Sequence, residues 1–85
     1  MSPARTLNLP ETLTRRQREV AECIVDMTIA QGYPPTLREL AQALEIQVNA
    51  VAQHVRLLRA KGAVDWDPKL RRTLRVIELE QSAER

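Results

Sequence analysis

Aromatic side chains are almost missing from this sequence: Tyr33 and Trp66 are the only two, and phenylalanine is absent. Binding of single-stranded nucleic acid leans on aromatic platforms for stacked bases, so that class is disfavoured at once. Any core must be aliphatic, built from Leu, Val, Ile, Met and Ala. The single cysteine, Cys23, cannot close an internal disulfide and has no companions for a metal site, which fits a reducing, cytoplasmic setting. With one histidine, His54, there is no His–Cys–acid cluster, and no glycine-rich phosphate loop is present. The expectation is a non-enzymatic protein without catalytic residues, metal or other cofactor. No apolar run approaches the roughly 18 residues needed to cross a bilayer, and the opening Met-Ser-Pro-Ala-Arg-Thr lacks an apolar signal segment. A soluble, cytoplasmic protein with no membrane partner is expected.

What is present suits one small folded domain. Of the 85 residues, 44% are hydrophobic and 28% charged, an ordinary balance for a folded chain too short for two separate cores. The net charge of +2 is unevenly spread. Between Arg56 and Arg75 seven basic residues stand against Asp65 and Asp67, a local charge of +5, whereas Glu78, Glu80 and Glu84 follow. A basic block running into an acidic tail suggests an anion-binding surface at one place on the fold.

Residues 1–12 contain Pro3 and Pro10 and show no periodicity, so they are expected to form a flexible arm. Thr14-Arg-Arg-Gln17 fits a capping box, and Val20, Cys23, Ile24 and Met27 follow at helical spacing, predicting a helix over about 15–30. Gly32 stands at a left-handed C-cap and Pro34-Pro35 stops the helix. Thr36-Leu-Arg-Glu39 is a second capping box, opening a short helix with Leu37, Leu40, Ala41 and Leu44 on one face. After Glu45-Ile-Gln47 a third helix carries Val48, Val51, Val55 and Leu58 as an apolar stripe and ends at Gly62. Two helices joined by so short a turn must cross steeply, as in a helix-turn-helix. Beyond Gly62 the period becomes two. Val64 and Trp66, then Leu74 and Val76, read as a two-stranded hairpin whose tip carries Lys69, Arg71 and Arg72. The predicted fold is mainly α with a small β-hairpin: a winged helix-turn-helix over residues 13–78, with 79–85 as an acidic tail.

At 100° per residue, with Val51 at zero, Val55 and Leu58 fall within about 40° and Val48 within about 60°, facing the core. Asn49, Gln53 and Arg56 fall opposite, with Ala50 at the side. Asn and Gln can bond adenine bidentately, Arg can bond guanine, and Ala can touch a thymine methyl, each good bidentate contact being worth about 1–3 kcal/mol of discrimination. Any exposed helix face can carry Asn, Gln and Arg; the position after a tight turn and before a basic hairpin is what points to duplex DNA. Candidate base-reading residues are therefore Gln47, Asn49, Ala50, Gln53, His54 and Arg56. His54, at the edge of the apolar stripe, suits packing or a phosphate contact better than metal ligation. Candidate phosphate contacts are Lys69, Arg71 and Arg72 on the wing, with Thr36 and Arg38 at the amino end of the second helix, where free amides and the helix dipole favour an anion. Cys23 is expected as a buried inert thiol, and Trp66 as filler between hairpin and helices.

Leu-Thr-Arg-Arg-Gln-Arg-Glu-Val at 13–20, Gly-Tyr-Pro-Pro-Thr at 32–36, Glu-Leu-Ala-Gln at 39–42, Asn49-Ala50, His54 and Ala-Lys-Gly at 60–62 resemble the amino-terminal domain of the LexA family of bacterial SOS repressors. The likeness covers roughly residues 13–77. It implies a bacterial or phage repressor domain that sets its third helix in the major groove of a palindromic operator, with Asn49, Ala50 and Gln53 reading bases and the hairpin tip near the backbone or minor groove. The chain departs from the family in several places. Glu45 stands where a Gly is usual in the turn, and the loop before Asn49 is one residue shorter. Gln47 replaces a good cap, and Ala52 and Gln53 replace a pair of acidic residues. The wing tip lacks glycines and is more basic. A different operator and a greater reliance on phosphate charge are expected. The family's dimerising, self-cleaving peptidase domain is not expected from these residues, and the chain is expected to be either a truncated fragment or a free-standing LexA-like repressor without that domain.

The leading expectation is a sequence-specific double-stranded DNA-binding regulator, acting as a homodimer or with a partner protein on the operator. The competing one is a winged-helix interaction module, an antirepressor or adaptor for another regulator.

Overall fold

The computed structural model describes residues 9–77: helices α1 (Arg15–Gln31), α2 (Leu37–Leu44) and α3 (Val48–Ala60), then strands β1 (Val64–Asp65) and β2 (Arg75–Val76). The strands pair antiparallel, Val64 opposite Val76 and Asp65 opposite Arg75. This is the winged helix-turn-helix that the residue pattern predicts.

Each helix starts and stops for a local reason. Thr14 and Thr36 both form complete capping boxes, their hydroxyls accepting from the amides of Gln17 and Glu39 while those side chains accept from the cap amides. Gly32 ends α1 at φ 86°, a backbone conformation that glycine adopts without steric cost. At the end of α2 the same left-handed role falls to Glu45, with φ 59° and ψ 41°. There the Ile46 amide donates back to the Ala41 carbonyl at 3.1 Å, and the Ile46 side chain packs against the core. Gln47 precedes α3 without a side-chain cap.

The core is aliphatic, as the composition requires. Val20 and Ile24 of α1, Leu40 of α2, Val51, Val55 and Leu58 of α3, and Val64 of β1 are buried together. Burying each such side chain contributes on the order of 1.5–3 kcal/mol before chain entropy is counted. Val48, expected in this stripe, is instead 39% exposed. It is the first residue of α3, and the buried stripe of that helix begins one turn later, at Val51.

The expected flexible arm needs a correction at its inner end. Leu9 is 6% exposed and belongs to the core, the Pro10 carbonyl accepts from the Leu13 amide, and the Thr12 carbonyl accepts from Lys61 Nζ at 2.8 Å. The same Nζ donates to Oε1 of the buried Gln17 at 2.9 Å, tying the end of α3 to the start of α1. The expected acidic tail, 79–85, lies outside the described residues, as do residues 1–8.

Glu45 occupies a backbone region that costs a non-glycine residue about 1–2 kcal/mol. Glu45→Gly relieves that strain at the expense of greater freedom in the unfolded chain. The expected outcome in urea unfolding is a net gain of about 0.5–1 kcal/mol with an unchanged m-value.

Candidate nucleic-acid interface

The two halves of the predicted site come from different elements, and the fold places them side by side. On α3, Asn49, Gln53 and Arg56 are exposed and Ala50 half-buried, so the polar flank faces outward as the helical spacing requires. Gln47 is exposed just ahead of it. His54 is half-buried at the side, and its Nδ1 is buried with no hydrogen-bond partner among the described residues. That placement makes it a packing residue with one edge to solvent.

The wing tip is held by its own hydrogen bonds. The Asp67 amide donates to Thr73 Oγ1 at 2.8 Å and the Thr73 hydroxyl donates to the Asp67 carbonyl at 3.2 Å. Inside that closure the Leu70 amide donates to the Asp67 carbonyl and the Lys69 amide to the Asp67 carboxylate. The loop between the strands therefore presents Lys69, Leu70 and Arg71 to solvent from an ordered frame. At its root, Arg59 of α3 lies 4.3 Å from the Trp66 ring centroid and donates from Nε to Asp65 at 3.1 Å. Trp66 packs against the core between hairpin and helices, as expected.

Arg72 departs from the predicted phosphate set. It sits at φ 56° and turns back across the fold. Its guanidinium donates to both Glu39 carboxylate oxygens, at 3.0 and 2.9 Å, and to the Pro34 carbonyl at 3.0 Å. It also lies 4.7 Å from the Tyr33 ring centroid. A charge already matched by a bidentate carboxylate offers little to a phosphate. By local pattern Glu39 is a capping residue and Arg72 a tip cation; nothing local pairs residues 33 positions apart.

Most cations on the rest of the surface are likewise occupied: Arg15 and Arg16 by Glu19, Arg59 and Arg75 by Asp65, Lys61 by Thr12 and Gln17. Among the described residues Arg38, Arg56, Lys69 and Arg71 have neither an ion pair nor a side-chain hydrogen bond. Three of them, Arg38, Arg56 and Arg71, line one cleft of about 550 Å³ between the start of α2, α3 and the wing. Thr36 also lines it, but its hydroxyl oxygen already accepts from the Glu39 amide as the cap of α2. Unpaired cations gathered beside an outward amide face are the electrostatic footprint of a surface built for a polyanion.

Cys23 is only half-buried; partial burial and the charge of Asp26 push its thiol pKa upward, keeping it protonated and unreactive near neutral pH. Among the described residues no group of three or more His, Cys, Asp or Glu could hold a metal ion, and no helix is long and apolar enough to cross a membrane.

Three helices, a steep helix pair and a basic wing beside an amide-bearing helix face define a winged-helix nucleic-acid-binding module. Sequence comparison gives the particular family: residues 10–73 match the LexA DNA binding domain, and the chain belongs to that family. It is 43% identical over 65 residues to the LexA repressor of Anaeromyxobacter dehalogenans (strain 2CP-1), covering 75% of this chain and 28% of that protein. It is 35% identical over 77 residues to the LexA repressor of Corynebacterium glutamicum, covering 89% of this chain and 33% of the relative. With the LexA repressor of Halalkalibacterium halodurans it shares 35% identity over 72 residues, 84% of this chain and 35% of the other. The chain thus spans about a third of the length of the curated relatives it matches.

The Glu39–Arg72 pair sets an acid sensitivity. The hydrogen bond from Arg72, seconded by the Thr36 amide, lowers the Glu39 carboxyl pKa from 4.5 to about 2. A carboxyl held low in the folded state stabilises fully above its unfolded value, and that contribution fades as pH falls from about 5 towards 2. Glu39→Gln keeps an acceptor for the capping box but removes the charge. Its melting temperature is expected to lie below wild type at neutral pH and to converge with it near pH 2.

Proposed function

We propose that this domain binds double-stranded DNA sequence-specifically and represses transcription by occupying an operator, as a LexA-like regulator. The observation that carries the reading is the gathering of unpaired Arg38, Arg56 and Arg71 in one cleft, Arg56 being also part of the exposed polar flank of α3. In this reading α3 enters the major groove. Asn49, Gln53 and Arg56 bond base edges, Ala50 allows close approach, and Gln47 and His54 flank them. Lys69 and Arg71 of the wing, with Arg38 and Thr36 at the start of α2, contact phosphates and fix the register. Arg72 positions the wing and contacts no phosphate.

One copy covers one half-site. Two copies on half-sites separated by one helical turn, about 34–36 Å, or a multiple of it, bring the binding energy to the level a specific repressor needs. In this reading the work of the domain is occupancy.

Selection of bound sequences from a random duplex pool, followed by titration of the winner at several salt concentrations, tests the reading. Binding should weaken steeply between about 0.05 and 0.2 M salt as phosphate contacts release counterions. Indifference to salt on every duplex would favour the antirepressor or adaptor alternative instead. Gln53→Ala is expected to relax preference at one operator position at a cost of about 1–3 kcal/mol. Arg71→Ala is expected to weaken all duplexes alike and to reduce the salt slope by about one.

A further inference from the structure

The cleft between the start of α2, α3 and the wing has the size and lining of a small-molecule site. Its volume of about 550 Å³ falls within the roughly 300–1,000 Å³ that such sites occupy. Its wall is largely apolar: Val48 and Ala52 come from α3, Leu70 from the wing tip and Trp66 from the hairpin root. Val48 and Leu70 are among the few large hydrophobic side chains left exposed, and here they share one concave surface. Three guanidinium groups without a partner among the described residues, those of Arg38, Arg56 and Arg71, border the same space, and no Asp or Glu lines it. Arg72 lines it too, but its charge is already matched by Glu39. Inorganic phosphate would engage the arginines and leave the apolar wall in water. A neutral hydrocarbon would cover the wall and leave the arginines unanswered. An organic anion with an apolar body satisfies both.

We propose that in the DNA-free chain this cleft is a regulatory site for an organic carboxylate with a compact apolar body. The carboxylate rests on Arg38, Arg56 and Arg71, and the body lies against Val48, Ala52 and Leu70. Charge-assisted bonds from guanidinium to carboxylate fix the orientation of the ligand, and the apolar area it buries supplies affinity. The cleft is preformed, because Asp67 and Thr73 close the wing loop and the Arg72–Glu39 pair anchors that loop to α2, so little ordering is needed on binding. Occupancy of the site is independent of the DNA-binding reading; its consequence rests on that reading. Arg56 and Arg71 are the groups there given to a base edge and to a phosphate. A guanidinium engaged by the carboxylate serves neither, so ligand and operator exclude each other and the ligand acts as an inducer. The antagonism is reciprocal, since each ligand weakens the other by the same factor.

The test uses the whole chain, isotope-labelled for NMR, with naphthoate as the probe. Naphthamide has the same ring system without the charge, and acetate the charge without the ring. Naphthoate is expected to bind with a Kd of about 0.1–1 mM. It should shift the indole N–H of Trp66, the one tryptophan of the chain, and the amides of Ala52, Leu70 and Arg71, while those of α1 stay in place. Naphthamide and acetate are expected to bind about tenfold more weakly or worse. Arg38→Ala and Leu70→Ser alter exposed positions, and thermal melting verifies that both variants are folded. Each should weaken naphthoate about three- to tenfold. Equal binding of naphthamide overturns the site, as do shifts centred outside the cleft or none at all up to about 10 mM naphthoate. On the selected duplex, naphthoate at about ten times its own Kd should raise the apparent Kd about tenfold by fluorescence anisotropy, against acetate at equal ionic strength. Unchanged duplex affinity with the cleft filled overturns the regulatory role. Failure of the DNA-binding reading is seen separately, as a chain that binds naphthoate but no duplex in a salt-dependent way.

Discussion

One carboxylate joins the two halves of the candidate nucleic-acid interface. Glu39 sits in the first turn of α2, where Oε1 accepts the Thr36 amide at 3.0 Å and so completes the capping box. Both of its oxygens also receive the guanidinium of Arg72, from the far end of the hairpin loop. The helix pair and the wing are also connected through the short α3–β1 turn, through Arg59 at the hairpin root, and through aliphatic packing, which is non-directional. A bidentate Arg–carboxylate pair adds direction, because two parallel hydrogen bonds fix an angle as well as a distance. The face of Tyr33 and the Pro34 carbonyl complete the socket. The spacing between the amide face of α3 and the cations of the tip is therefore set in part by this pair, which links α2 to the hairpin loop.

A second constraint is the turn between α2 and α3. With Glu45 in the left-handed region and the Ile46 amide returned to Ala41, the chain reverses within three residues and α3 can begin at Val48. The side chain of Ile46 packs against the core, so apolar burial holds a conformation that Glu45 does not favour by itself. The uncapped amino end of α3 follows from the same compression, since Gln47 has no side-chain bond to the helix it starts. Its first amides are left toward the side on which a polyanion is expected, where the helix dipole favours negative charge.

Charge pairing separates scaffold from interface. The cations that hold the fold have partners within the chain: Lys61 binds α3 to the segment before α1, Arg59 and Arg75 share Asp65 at the hairpin root, and Arg72 holds Glu39. Arg38, Arg56, Lys69 and Arg71 have none among the described residues, and Arg38, Arg56 and Arg71 line one cleft. Net charge alone, at +2, conceals this division. Membership of the LexA DNA-binding domain family gives the arrangement its context.

Local chemistry was legible in the residues themselves. Thr14 with Gln17, and Thr36 with Glu39, announce two helix starts; Gly32 and Gly62 announce stops; and the change from helical spacing to alternation after Gly62 announces the hairpin. The outward flank Asn49–Gln53–Arg56 follows from the 3.6-residue period, which needs no knowledge of neighbours. What the residues could not announce depends on partners distant along the chain. Leu9 reads as part of a loose arm because nothing beside it is periodic, yet it is buried in the core; Val48 fits the apolar stripe by angle, yet is 39% exposed. Arg72 looks like a tip cation until the fold brings Glu39 within 3 Å of it. Periodicity and capping are short-range rules and are carried by the sequence. Which cations are neutralised, and which apolar side chains remain uncovered, is decided only when distant segments meet, because both depend on distances that the chain acquires by folding.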